Sequence, residues 1–172
     1  IWFTQWVTLF AQHQLKLTTT SAHFLLSLYS LGSLLGVGLL FILLNRPGHE
    51  RGILVTFNLI ATLALFGLVT RGSQPLVAAA CALVFGLTAA GGIMQTGLTL
   101  FMRLFPGRHG LVTGCFYFFG SLASFTVPLI TGKLATGSIA AAFAGDLVIG
   151  ALASLVSLAL LLAWPKGGTP RD

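Results

Sequence analysis

Acidic side chains are nearly absent from this chain. Glu50, Asp146 and Asp172 are the three among 172 residues, and charged residues of both signs make up 7% of the total. Ordinary soluble domains carry roughly 25%, so too few charges are present to coat a water-facing surface, and a soluble fold is excluded. Cysteine is scarce as well. Cys81 and Cys115 both lie inside apolar runs, which offers no disulfide framework and fits small packing residues. The four histidines, His13, His23, His49 and His109, fall at or near the ends of apolar runs. None has a Cys, an Asp or a second His at ligand spacing, so no metal site is expected. No serine occupies a nucleophile elbow, and no glycine-rich loop precedes a basic residue in phosphate-binding order. An integral membrane enzyme needs paired acids or a histidine cluster, so neither catalysis nor a cofactor is expected.

What the chain does have is apolar length. Hydrophobic residues make up 56% of it and the mean hydropathy is +0.97, arranged in long runs rather than in faces. The formal net charge of +6 points away from nucleic acid, because the nine Lys and Arg are scattered through the polar breaks between apolar runs instead of clustering on one surface. Lipid is the expected partner.

A membrane-crossing helix needs about 20 mainly apolar residues. Runs near 1–13, 23–45, 52–70, 76–104, 111–133 and 139–164 predict an all-α integral membrane fold, a single bundle of six transmembrane helices over 1–172. The first run opens at Ile1-Trp2-Phe3 without an initiator Met, a basic segment or a cleavage site, unlike a signal peptide. Its 13 residues rise only about 20 Å against a hydrocarbon core of about 30 Å. The chain is therefore expected to be a fragment of a larger protein.

If all six runs cross, the connections alternate sides. Arg46, Arg51, Arg103, Arg108, Lys166 and Arg171 fall on one side and Lys16, Arg71 and Lys133 on the other. The richer side is expected to be cytoplasmic, with both chain ends on it. The second run carries Tyr29-x-x-Gly32-Ser33-Leu34 and the fifth carries Tyr117-x-x-Gly120-Ser121-Leu122. Residues 1–71 and 76–164 then form two weak three-helix repeats, inverted in the membrane, with Gly32 and Gly120 expected at matching tight contacts.

Polar residues on spanning helices face other helices or a water-filled cavity. Thr88, Gly92, Gln95 and Thr99 follow α-helical spacing, as do Thr113, Tyr117, Ser121, Ser124 and Pro128, and Thr4, Gln5, Thr8 and Gln12 share a side of the first run. Small members of such stripes can equally be packing seams. The larger ones mark Gln5, Gln12, Gln95, Thr99, Tyr117 and Ser121 as cavity-lining, substrate-binding candidates. Asp146 is a possible ion-coupling residue, with a competing structural role: residues 147 to 164 span the core by themselves, which would leave Asp146 as an interfacial helix cap.

The turn Asn45-Arg46-Pro47-Gly48-His49-Glu50-Arg51 resembles the D-R-x-G-R-R connection of the major facilitator superfamily, with Arg46, Gly48 and Arg51 fitting and Asn45, His49 and Glu50 departing. Gly114, Gly120, Pro128, Gly132 and Lys133 are similar to the family's pattern in its penultimate helix. The resemblance implies the C-terminal six-helix half of a twelve-helix secondary transporter, lined by the first, second, fourth and fifth helices of each half, whose N-terminal six-helix half is missing from this chain. It also implies that proton coupling, if any, resides in that other half. Together with the uncharged hydrogen-bonding stripes, this leads to an expected small neutral polar solute, moved by alternating access in the bacterial inner membrane. The competing reading is a six-helix membrane scaffold or assembly subunit without a pathway.

Overall fold

A computed structural model describes residues 2–45 and 48–163, and among them every regular element is helical. Six helical elements follow one another: α1 (Trp2–His13), α2 (Thr19–Leu44), α3 (Glu50–Arg71), α4 (Pro75–Leu104), α5 (His109–Gly137) and α6 (Ile139–Ala163). Each begins and ends within a few residues of its apolar run. Five helices are long and apolar enough to cross a membrane, the last over Ala144–Ala163. Helix α1, with 12 residues, is too short.

Local signals explain the boundaries. Thr18 caps α2, its side-chain oxygen accepting from the Ser21 N–H at 3.3 Å. Pro75 opens α4, where its missing N–H costs nothing. Only Ser138 separates α5 from α6, and its hydroxyl accepts from the Ala141 N–H at 3.3 Å. Gly48 turns the chain into α3 at φ +93° and Gly107 turns it into α5 at φ +79°, backbone conformations that a side chain disfavours.

The packing centre is the contact of α2 with α4. A Cβ placed on Gly32 would run into the Leu83 carbonyl, one on Gly36 into that of Leu87, and one on Gly86 into that of Tyr29. Glycines on both helices thus let the backbones dovetail, which is how helices associate where lipid removes the hydrophobic drive. Around this contact, Phe3 and Val7 of α1, Leu25 of α2, Leu65 and Leu68 of α3 and Phe85 of α4 make a continuous buried core. Helix α6 packs on α3, where Thr62 and Ser154 share a hydrogen bond of 3.0 Å between hydroxyls.

Two sequence expectations change here. Gly86–Ile93 within α4 is π-helix rather than α-helix, so each turn there carries more residues and an inward face recurs at wider spacing. Thr88, Gly92 and Thr96 are consequently the buried positions, while Gln95 is exposed and Thr99 half-exposed. The stripe expected over 88–99 is therefore divided between two faces. The second change concerns the paired glycines. Gly32 is locked against α4, but nothing lies within 4 Å of a Cβ on Gly120, because α5 stands at the margin of the bundle with Thr131 its one buried residue.

Candidate functional site

The end of the bundle holding the α2–α3 and α4–α5 turns is tied together by charge. Glu50, in the first turn of α3, is 3% exposed, and its carboxylate meets the Arg103 guanidinium from the last turn of α4 at 2.5 Å. The same carboxylate accepts the Gly48 N–H, at 3.1 and 3.3 Å to its two oxygens. A buried carboxylate needs such partners, because its lost hydration must be replaced. The ion pair shows that both turns lie at one end of the bundle. At the opposite end Leu15 packs against Gly72, joining the α1–α2 and α3–α4 connections.

Of the motif-like turn, Gly48 and Arg51 are described and Arg46 lies outside the described residues. Glu50, first counted among the departures from the motif, is the residue that makes the buried ion pair. The signal was available in the sequence: it is the one acid in any of the turns, and Arg103 is a cation at the end of an apolar helix.

Between the second half of α4 and the first half of α5 lies a cleft of about 860 Å³, open on one side. Its wall is aromatic, with Phe101, Phe105, Phe116, Tyr117 and Phe119 among the lining residues. Phe116 and Tyr117 meet edge to face, ring centroids 5.8 Å apart. Polar groups enter as the Tyr117, Ser121 and Ser124 side chains, and Arg108 supplies one charge where α5 begins. Tyr117 and Ser121, both sequence candidates, come together here and both are exposed. The Ser124 hydroxyl instead donates back to the Gly120 carbonyl at 2.9 Å.

The remaining candidates lie elsewhere. Gln95 is exposed on α4 beside Met94, which does line the cleft, and the Thr99 hydroxyl donates to the Gln95 carbonyl at 2.9 Å. Gln5 is exposed and Gln12 half-exposed on α1. Intrahelical bonds of the Thr99 type are common here: Thr88, Thr96, Thr126 and Thr131 all donate to the carbonyl four residues back. Such hydroxyls satisfy their donors within their own helix and require neither a pore nor a partner helix.

Asp146 does not cap its helix. Helix α6 starts at Ile139, so Asp146 sits two turns inside it and within the stretch Ala144–Ala163 that is long and apolar enough to span. Its Oδ2 is buried with no hydrogen-bond partner.

A family model described as Major Facilitator Superfamily matches residues 1–171. The chain is 36% identical to the inner membrane transport protein YdiM of Escherichia coli (strain K12) over 154 residues, covering 90% of this chain and 38% of that protein. It is 33% identical to the inner membrane transport protein YdiN of the same organism, over 75% of this chain and 30% of that protein. An uncharacterized MFS-type transporter, YfkL of Bacillus subtilis (strain 168), is 34% identical over 94% of this chain and 40% of that protein. The chain thus spans well under half the length of these curated relatives. No solved structure gives a significant match.

Proposed function

Because this chain belongs to the Major Facilitator Superfamily and is a multi-pass membrane protein, we propose that it forms the C-terminal six-helix half of a secondary transporter of the inner membrane. The observation that carries this reading is the cleft on α4 and α5. It opens on helices whose outward faces are uncovered, in a chain that spans 38% of a relative named as a transport protein. In this reading α1 continues a longer first spanning helix. The N-terminal half packs over α5 and the free side of the cleft, and the two halves rock about the enclosed solute. The end bearing Glu50, Arg103 and Arg108 is cytoplasmic, as are both ends of the chain, since six of the nine Lys and Arg belong to that side.

The solute is a small neutral molecule with hydrogen-bonding groups and an apolar face. Tyr117 and Ser121 offer hydroxyls, the phenylalanines offer ring faces, and no acid is among the lining residues. Gln5, Gln12, Gln95 and Thr99 approach the same solute from α1 and α4 once the other half closes the site. The test is uptake by the full-length protein reconstituted in vesicles, with a panel of labelled sugars, polyols and organic ions. Accumulation of a neutral solute, reduced by Tyr117→Ala without loss of folded protein, supports the reading. Exclusive uptake of charged solutes would overturn the solute class, and no uptake of any solute would favour a membrane scaffold.

A further inference from the structure

Asp146 lies seven residues past Ile139, about 10 Å along α6 from its start, and near the beginning of the stretch Ala144–Ala163 that is long and apolar enough to span, whereas the other acid of the described residues, Glu50, opens α3 and is paired with Arg103. The described side chains shown near it are aromatic and uncharged. Helix α1 packs on α6 and lays the Trp2 ring against Gly145, the residue preceding Asp146, so closely that a Cβ there would collide with it. The same helix carries Trp6, whose indole Nε1 is a second buried polar atom without a hydrogen-bond partner. From α2, Tyr29 is the described titratable group that interacts electrostatically with the carboxyl, and its ring stacks on Phe3 of α1 at 5.0 Å. The other titratable or charged groups on the helices packed against α6 stand at the ends of those helices or on the exposed side. They are His13 on α1, Glu50, Arg51 and Arg71 on α3, and His109, Cys115, Tyr117 and Lys133 on α5.

An ionised carboxylate in such a place is largely stripped of water, and no described cationic side chain pairs with it, whereas the neutral acid asks only for ordinary hydrogen bonding. The orphaned Oδ2 and the aromatic contact with α1 thus favour the neutral acid while α1 is docked. We propose that Asp146 is a proton-binding site that controls how α1 docks on α6. The carboxyl oxygen takes up one proton from water and stays neutral while the Trp2 ring packs on the neighbouring Gly145. When α1 lifts from α6 and water enters, the proton is returned and the carboxylate is hydrated. Docking of α1 and binding of the proton are then linked, each favouring the other. The proposal rests on α6 lying in the membrane and on no particular solute, so a failure of the transport reading leaves it standing and would be seen in the uptake assay alone.

The experiment uses the full-length protein in phospholipid nanodiscs, wild type and Asp146→Asn, from mildly acidic to alkaline pH. Thermal unfolding is followed by tryptophan fluorescence, and infrared difference spectra are recorded over the same range. The wild type is expected to lose several degrees of apparent Tm as pH rises, and Asp146→Asn, whose amide mimics the neutral acid, to lose none over that interval. A protonated-carboxyl C=O band present in the wild type at mildly acidic pH should be missing from the variant. Identical pH dependence in both proteins, or a carboxyl band unaffected by the substitution, overturns the proposal. So does failure of Asp146→Asn to fold, since a site built for a neutral acid accepts its amide. Stabilisation of the wild type by sodium that is lost in Asp146→Asn would assign the site to a metal cation and equally overturn it.

Discussion

Arg103 closes α4 by reaching the carboxylate of Glu50 on α3 at 2.5 Å, and the two partners differ sharply in exposure: 45% for the arginine side chain and 4% for the glutamate. The pair is therefore asymmetric. Removing the exposed cation strands a buried anion, whereas neutralising the anion releases an arginine that water can still solvate. Arg103→Ala should cost about 1–3 kcal/mol, the usual penalty of an unsatisfied buried group. Glu50→Gln should cost less, since the Gln side chain can still accept the Gly48 N–H. The double variant should be more stable than Arg103→Ala alone. Thermal unfolding of the four full-length proteins checks the cycle, and equal, additive losses would mean that the pair contributes no coupling.

The glycine seam between α2 and α4 makes a second prediction, in which two sequence-related positions part company. Gly32→Leu forces a side chain into the Leu83 carbonyl and must push the helices apart, an overpacking cost of at least about 1–3 kcal/mol. Gly120→Leu meets nothing within 4 Å and should fold normally. Gly120 lines the cleft, however, so that variant should lose solute uptake while keeping its thermal stability. Expression level, Tm and uptake measured together separate the two outcomes.

The positions of the helices were legible because each is a run of apolar residues long enough to cross lipid, and composition alone marks such runs. Finer features needed information that hydropathy does not carry. Residues 147 to 163 are by themselves long enough to span, so nothing apolar distinguished a helix starting at Asp146 from one starting at Ile139. The distinguishing signal was Ser138, a capping hydroxyl one residue before the true start. In α4, Gly86 and Gly91 permit the close approach to α2 and Gly92 leaves room for the Phe57 ring of α3, while the π-turns rotate Thr88 and Gln95 onto different faces, which a fixed 3.6-residue period misses. Glu50 was read as a departure from a motif because motif comparison scores positions separately, while its role depends on Arg103 more than 50 residues away.

Topology gives a third prediction. Reporter domains fused at residue 48 and at residue 108 should report the same membrane face, because the Glu50–Arg103 pair brings both turns to one end of the bundle. That face should be the cytoplasmic one by its excess of Lys and Arg. A fusion at residue 73, in the connection between α3 and α4, should report the opposite face. Activity of a periplasmic reporter at 48 or 108 would invert the assignment.

The last prediction concerns which polar side chains meet water. Thr88 and Thr96 are 1% and 0% exposed and donate to carbonyls of their own helix, so they behave as packing residues. Tyr117 and Ser121 are exposed in the aromatic cleft, although one side of that cleft faces outward in this chain. In the full-length protein with Cys81 and Cys115 replaced by alanine, single cysteines at 117 and 121 should react with a membrane-impermeant thiol reagent in inside-out vesicles, and cysteines at 88 and 96 should not. Gln95 is the informative intermediate: it is exposed on α4 but absent from the cleft wall, so it reaches water only if the other half of the transporter leaves a cavity in front of it. Labelling at 95 together with 117 and 121, and its suppression by a transported solute, would join α4 and α5 around one pathway. Labelling confined to the turns would instead mean that these faces are sealed by other helices, and the polar residues would then be packing groups of a scaffold.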